Sequence, residues 1–215
     1  MDALALGMEW QRARAVRRGL RLQGLTIGYN CLEGVIALAA GFFAGSVALV
    51  GFGFDSAIEV VAGAAAVWRL RADVDEQRRR RAEKVSLWIV GLSFLALAAY
   101  IIYESASLLA ERRAPDHSPV GMALAAVSLL VMPFLARAKR RVARTLESRA
   151  MSAEAKQTDF CAWLSAILLG GLSLNAIAGW WWVDPAAALV MAPIIVRAGL
   201  QTWRAAATGM DACSC

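Results

Sequence analysis

Residues 45–71, GSVALVGFGFDSAIEVVAGAAAVWRLR, form an apolar run long enough to cross a bilayer as a helix, yet two acids stand near its middle. Asp55 and Glu59 are four residues apart. A helix turns about 100° per residue, so both carboxylates fall on one face, one turn apart, where they can hold one cation between them. A charge near the bilayer centre costs about 2.5–3.5 kcal/mol even on the lenient insertion scales. Two acids retained in one span therefore read as a site.

Composition sets the same frame. Of 215 residues, 59% are hydrophobic, and the mean hydropathy is +0.52, far above the range of a soluble domain. The chain reads as an all-α integral membrane protein whose main partner is the lipid bilayer. A net charge of +6 invites a nucleic-acid reading. The Lys and Arg residues, however, sit in short runs between apolar spans, with no aromatic-studded basic domain, so no nucleic-acid partner is expected. The cysteines, Cys31, Cys161, Cys213 and Cys215, have no disulfide-framework spacing. At Met1–Trp10 the apolar run is too short for a cleavable leader, so the first span is expected to act as its own targeting signal. No nucleophile–base pair or cofactor motif appears, which argues against an enzyme and against any bound cofactor.

In chain order, residues 1–23 carry Arg12, Arg14, Arg17, Arg18 and Arg21 among Leu and Val, the pattern of a basic amphipathic helix at an anionic membrane surface or of a soluble basic tail. Six spans are expected within residues 24–204: 24–44, the run ending at Arg71, 85–110, 119–136, 157–178, and a last one opened by Asp184 as cap and Pro185 as first residue and ending near Arg204. Pro133 and Pro193 should bend the fourth and sixth. Residues 73–84, DVDEQRRRRAEK, and 137–156 read as solvated charged connectors, and Trp180–Trp182 as an interfacial belt. A short tail, 205–215, carries Cys213 and Cys215 as Cys-x-Cys, able to capture a soft metal or merely incidental. His117, the lone histidine, reads as a plain loop residue.

The Lys and Arg distribution orients these spans. Of 23 such residues, 21 lie before the first span, between the second and third, between the fourth and fifth, or near the C-terminal end, and only Arg112 and Arg113 lie on the other side. The positive-inside rule then places both termini in the cytoplasm, with the chain in the inner membrane.

Ser46, Ala48, Leu49, Asp55, Ser56 and Glu59 resemble the second transmembrane helix of the cation diffusion facilitator, or cation efflux, family. TIGYNCLEG at 26–34 resembles the first helix and GWWWVDPAAAL at 179–189 the approach to the sixth. In that family the positions of Asp55 and Glu59 form half of an intramembrane divalent-metal site. Phe52 stands where many members have another acid. The other half comes from His-x-x-x-Asp on the fifth helix. Aligning Ala153-Glu154-Ala155, Ser165 and the Gly170-Gly171 pair puts Gln157 and Cys161 in those places, and a rival register would offer Ala155 and Asp159. The resemblance thus implies a metal set of Asp55, Glu59, Gln157 and Cys161, with Asn30 and Glu33 in the cation path or as interhelical hydrogen-bonding groups. It further implies a short member, since only about ten residues follow the sixth helix where the family has a cytoplasmic metal-binding domain. Any homodimer would then form through the membrane helices, with the small-residue face at Ala62–Ala66 a candidate contact.

Chemically, two carboxylates, a thiolate and an amide oxygen suit a tetrahedral ion, and the sulfur favours zinc, cadmium or cobalt over magnesium or calcium. A buried Cys is otherwise often a small hydrophobe. The function expected is efflux of a zinc-like divalent cation from the cytoplasm by alternating access, with protons as counter-ion. The alternative is a membrane protein that binds or senses metal without transporting it.

Overall fold

A computed structural model of the chain describes residues 2–44, 47–112 and 119–208. Among them the fold is all helical: α1 (Asp2–Ala44), α2 (Val47–Arg71), a 3-10 turn (Ala72–Val74), α3 (Glu76–Glu111), α4 (Pro119–Thr145), α5 (Arg149–Ala178) and α6 (Val183–Ala207). Val50–Arg71, α3, α4 and Pro185–Ala207 are each long and apolar enough to cross a membrane. The layout is that of a polytopic six-helix membrane protein. His117, Cys213, Cys215 and Ser46 lie outside the described residues.

Neighbouring helices associate in pairs: α1 lies along α2, α4 along α5, and α3 along α6. Lipid tails are as apolar as leucine, so helices in a bilayer gain little from hiding apolar surface and adhere by close packing. The α3–α6 seam shows this. A Cβ on Gly91 would sit 3.1 Å from the Trp203 backbone nitrogen, and one on Gly199 would sit 3.0 Å from Phe94 Cβ. Phe94 in turn meets Phe160 of α5 edge to face at 5.6 Å, a geometry that contributes about 0.5–1.5 kcal/mol beyond burial.

Several expectations need correction. No break marks the 23/24 boundary, because α1 runs unbroken from Asp2 to Ala44. Its basic stretch neither trails free nor stands apart as a surface helix. Ala15, buried, joins Leu70 of α2 and Val142 and Met151 at the basic ends of α4 and α5 in one cluster. The two connectors are mostly helix, since α4 continues to Thr145 and α5 starts at Arg149. Ser148 caps α5 by accepting from the Met151 N–H at 3.1 Å.

Residues 73–84 are not uniformly solvated either. Arg69, 2% exposed, donates to Asp73 at 2.6 Å and to Glu83 at 2.5 Å, and Arg12 reaches Asp73 from α1 at 2.7 Å. Glu83 also accepts from the Ala150 N–H at 2.7 Å. A buried guanidinium must be paired, and the acids recruited from the charge run supply the pairing. Helix α6 opens at Val183 with Trp182 as N-cap, not at Asp184. Pro133 and Pro193 lie inside unbroken helices. Ala62, Ala65 and Ala66 are buried within the chain and pack between its own helices, whereas Ala64 among them is exposed.

Candidate metal centre

Helices α1, α2 and α5 each carry a polar stripe on their inward face at helical spacing. On α1 it is Gln23, Thr26, Asn30 and Glu33; on α2, Asp55, Ser56 and Glu59; on α5, Glu154, Gln157, Thr158, Cys161 and Ser165. Every one of these residues is buried. Spacings of three, four and seven keep a residue on one face, so the stripes line up where the helices meet.

Asp55 of α2 and Cys161 of α5 meet there, with Glu59 one turn from Asp55 and the buried Gln157 one turn from Cys161. The Cys161 thiol donates to Asp55 Oδ2 at 3.0 Å, joining α5 to α2 across 106 residues of sequence. Asn30 Nδ2 donates to Glu59 Oε2 at 2.6 Å. Glu33 accepts from Ser56 Oγ at 3.0 Å and from Tyr29 Oη at 2.9 Å. Asn30 and Glu33 are thus direct partners of α2. The other oxygens of the two acids, Asp55 Oδ1 and Glu59 Oε1, have no hydrogen-bond partner, nor do Oε1 and Nε2 of Gln157. Buried polar atoms are nearly always paired, so a gathering of unpaired acceptors around a thiol is chemically suited to a cation.

Among the described residues, no three His, Cys, Asp or Glu side chains already converge as a metal cage. The acids and thiol form a hydrogen-bonded cluster, and a bound ion would have to replace the Cys161–Asp55 hydrogen bond. Of the fifth-helix residues in the two registers, Cys161 reaches an acid of α2 and Gln157 is buried on the same face. Asp159 instead pairs with Arg140 of α4, its side chain 28% exposed.

Sequence reading missed one element beside this cluster. Lys139 of α4 is fully buried, pairs with Glu154, and also donates to Thr158 Oγ1 at 3.0 Å. Gln23 Nε2 donates to the second Glu154 oxygen at 2.9 Å. The arginines around Lys139 made it look like part of a connector. The usable signal was periodicity: Ala125, Ser128, Met132, Ala136, Lys139 and Ala143, spaced by three and four, make up the buried stripe of α4.

The architecture is a helical membrane bundle with a buried cluster of acids, amide and thiol where α1, α2 and α5 meet. Residues 26–209 match the cation efflux transmembrane domain, and the chain belongs to the cation efflux family. The resemblance carried by the first, second and sixth helices is thereby borne out. An uncharacterized transporter of Synechocystis sp. is 26% identical over 171 residues, which make up 77% of this chain and 55% of that protein. The chain thus spans about half the length of this curated relative.

Proposed function

We propose that the protein carries a divalent transition-metal cation of the zinc class out of the cytoplasm across the inner membrane, in exchange for protons. Asp55, Glu59, Gln157 and Cys161 are its ligands. The observation that carries this reading is the set of unpaired, buried acceptors, Asp55 Oδ1, Glu59 Oε1 and Gln157 Oε1, beside a thiol already bonded to one of the acids.

Binding requires the thiolate and both carboxylates, so a metal entering the site displaces whatever protons these groups hold, and protons returning to them favour its release. Gln157 cannot titrate. The exchanging protons therefore reside on Cys161, Asp55 and Glu59. Alternating access exposes the cluster to one side at a time, as expected of a binding site near the bilayer midplane.

The test is zinc accumulation in proteoliposomes, with bound metal measured by mass spectrometry on the purified protein. Asp55→Ala and Glu59→Ala are each expected to lose both bound metal and accumulation while still inserting as folded protein. Full binding and flux in both variants would remove these acids from the site. Binding by the wild type without accumulation would favour a membrane metal sensor.

A further inference from the structure

A cavity of about 100 Å³ opens between α2, α3, α5 and α6 with Asp55 on its wall. Its other polar lining residues are Tyr100, Glu104 and Ser105 of α3, and leucines and isoleucines of α3 and α5 form most of the remainder. Glu104 lies in the half of α3 remote from the Arg-rich end, which is the external half by the charge asymmetry. Glu104 is the other acid on the wall of the cavity that Asp55 lines.

Close approach around Gly51 supports this placement. Gly51 precedes Asp55 by one turn of α2, about 6 Å along the axis. A Cβ on Gly51 would fall 1.6 Å from Tyr100 Oη and 2.6 Å from Glu104 Oε2. Both oxygens therefore press on the α2 backbone one turn outward of Asp55. Asp55 itself, 8% exposed, lines the same cavity and has an unpaired Oδ1.

We propose that Glu104, with Tyr100 Oη and Ser105 Oγ, forms a second, outward station for the transported divalent cation. The proposal rests on the efflux reading above. A divalent ion crossing apolar walls faces a steep desolvation cost, and an acid one turn away divides that crossing into two shorter steps. The ligand types differ in a way that gives direction. The central cluster includes sulfur, which suits a soft or borderline ion, whereas the outer station offers only oxygen and holds such an ion more weakly. A site that is weak enough to release its ion is what an exit requires.

Zinc titration of the purified full chain tests this, with a kinetic arm in proteoliposomes. The wild type is expected to bind one tight and one weaker equivalent of zinc. Asp55→Ala should lose the tight one, and Glu104→Gln should lose the weaker one while keeping the tight one. In proteoliposomes, Glu104→Gln should lower the maximal rate and weaken inhibition by zinc on the release side. Gly51→Ala keeps every carboxylate but displaces Tyr100 and Glu104, and should reproduce both effects should Glu104→Gln fold poorly. A single equivalent in the wild type, with unchanged rate and release-side inhibition in both variants, overturns the outer station and leaves the central site standing. Loss of the tight equivalent in a folded Glu104→Gln assigns Glu104 to the central site and also overturns the proposal. A wild type that binds no zinc at all overturns both readings.

Discussion

Replacing Lys139 with methionine keeps an unbranched side chain, one atom shorter, and removes its charge. In the native chain the ammonium bonds Glu154 and Thr158, and Glu154 also accepts from Gln23. After Lys139→Met, Glu154 stays 2% exposed with only the Gln23 amide to answer it. Removing one partner of a buried ion pair costs about 3–5 kcal/mol, because the survivor is a buried, uncompensated charge. Replacing both, as Lys139→Met with Glu154→Leu, removes the charges together. The remaining loss is then the orphaned Gln23 N–H, about 1–3 kcal/mol, so the double variant should be more stable than either single one. Reversible unfolding in mixed micelles, followed by circular dichroism as denaturing detergent is added, gives all three differences. A Lys139→Met loss below about 1 kcal/mol, the scale of a solvated pair, would refute the buried pair. Additive losses in the double variant would refute the coupling.

Asp73 offers a pH test outside the membrane. Burial raises its carboxyl, but the hydrogen bonds from Arg12 and Arg69 outweigh it and hold the group below the ordinary aspartate range. A depressed folded value means stability that is fully present above the unfolded value, about 3.9, and lost as pH falls below it. The stability gap between wild type and Asp73→Asn should therefore be flat from neutrality down to that region and close in stronger acid; a gap that widens in acid would contradict the pairing. At the central cluster, Cys161→Asp exchanges sulfur for oxygen and should shift competition from cadmium toward manganese. An unchanged metal ranking in equilibrium competition would reduce the thiol to packing.

The helices were legible because their signals are local. Apolar runs separated by arginines give the spans, and a four-residue spacing puts Asp55 and Glu59 on one face whatever their surroundings. What escaped was tertiary. Nothing near Lys139 in the sequence announces Glu154 as its partner, and the surrounding arginines on the other faces of α4 hide a residue whose own face is buried. The fifth-helix register had two readings for the same reason, since Gln157 and Asp159 are both polar and nothing local announces that Asp159 pairs with Arg140 of α4. Residues 73–84 misled in the opposite direction: a run of charge looks solvated until a buried Arg69 requires two of its acids. The small-residue face at Ala62–Ala66 has the composition of a helix contact, but composition does not say whether the contact is with the same chain.

The α3–α6 seam bears on the cluster only indirectly. These two helices are locked to each other through Gly91, Gly199 and the Trp88–Trp203 contact at 4.6 Å, whereas the hydrogen bonds to Asp55, Glu59 and Glu33 described above all run among α1, α2 and α5. The seam supplies none of those bonds, yet its α3 half is tied to α2 and α5 by the Arg69–Glu83 pair, the Ala150 N–H bond to Glu83 and the Phe94–Phe160 contact. Substitutions at Gly91 or Gly199 therefore reach the cluster through packing alone and leave the kind of donor atoms that face a cation unchanged.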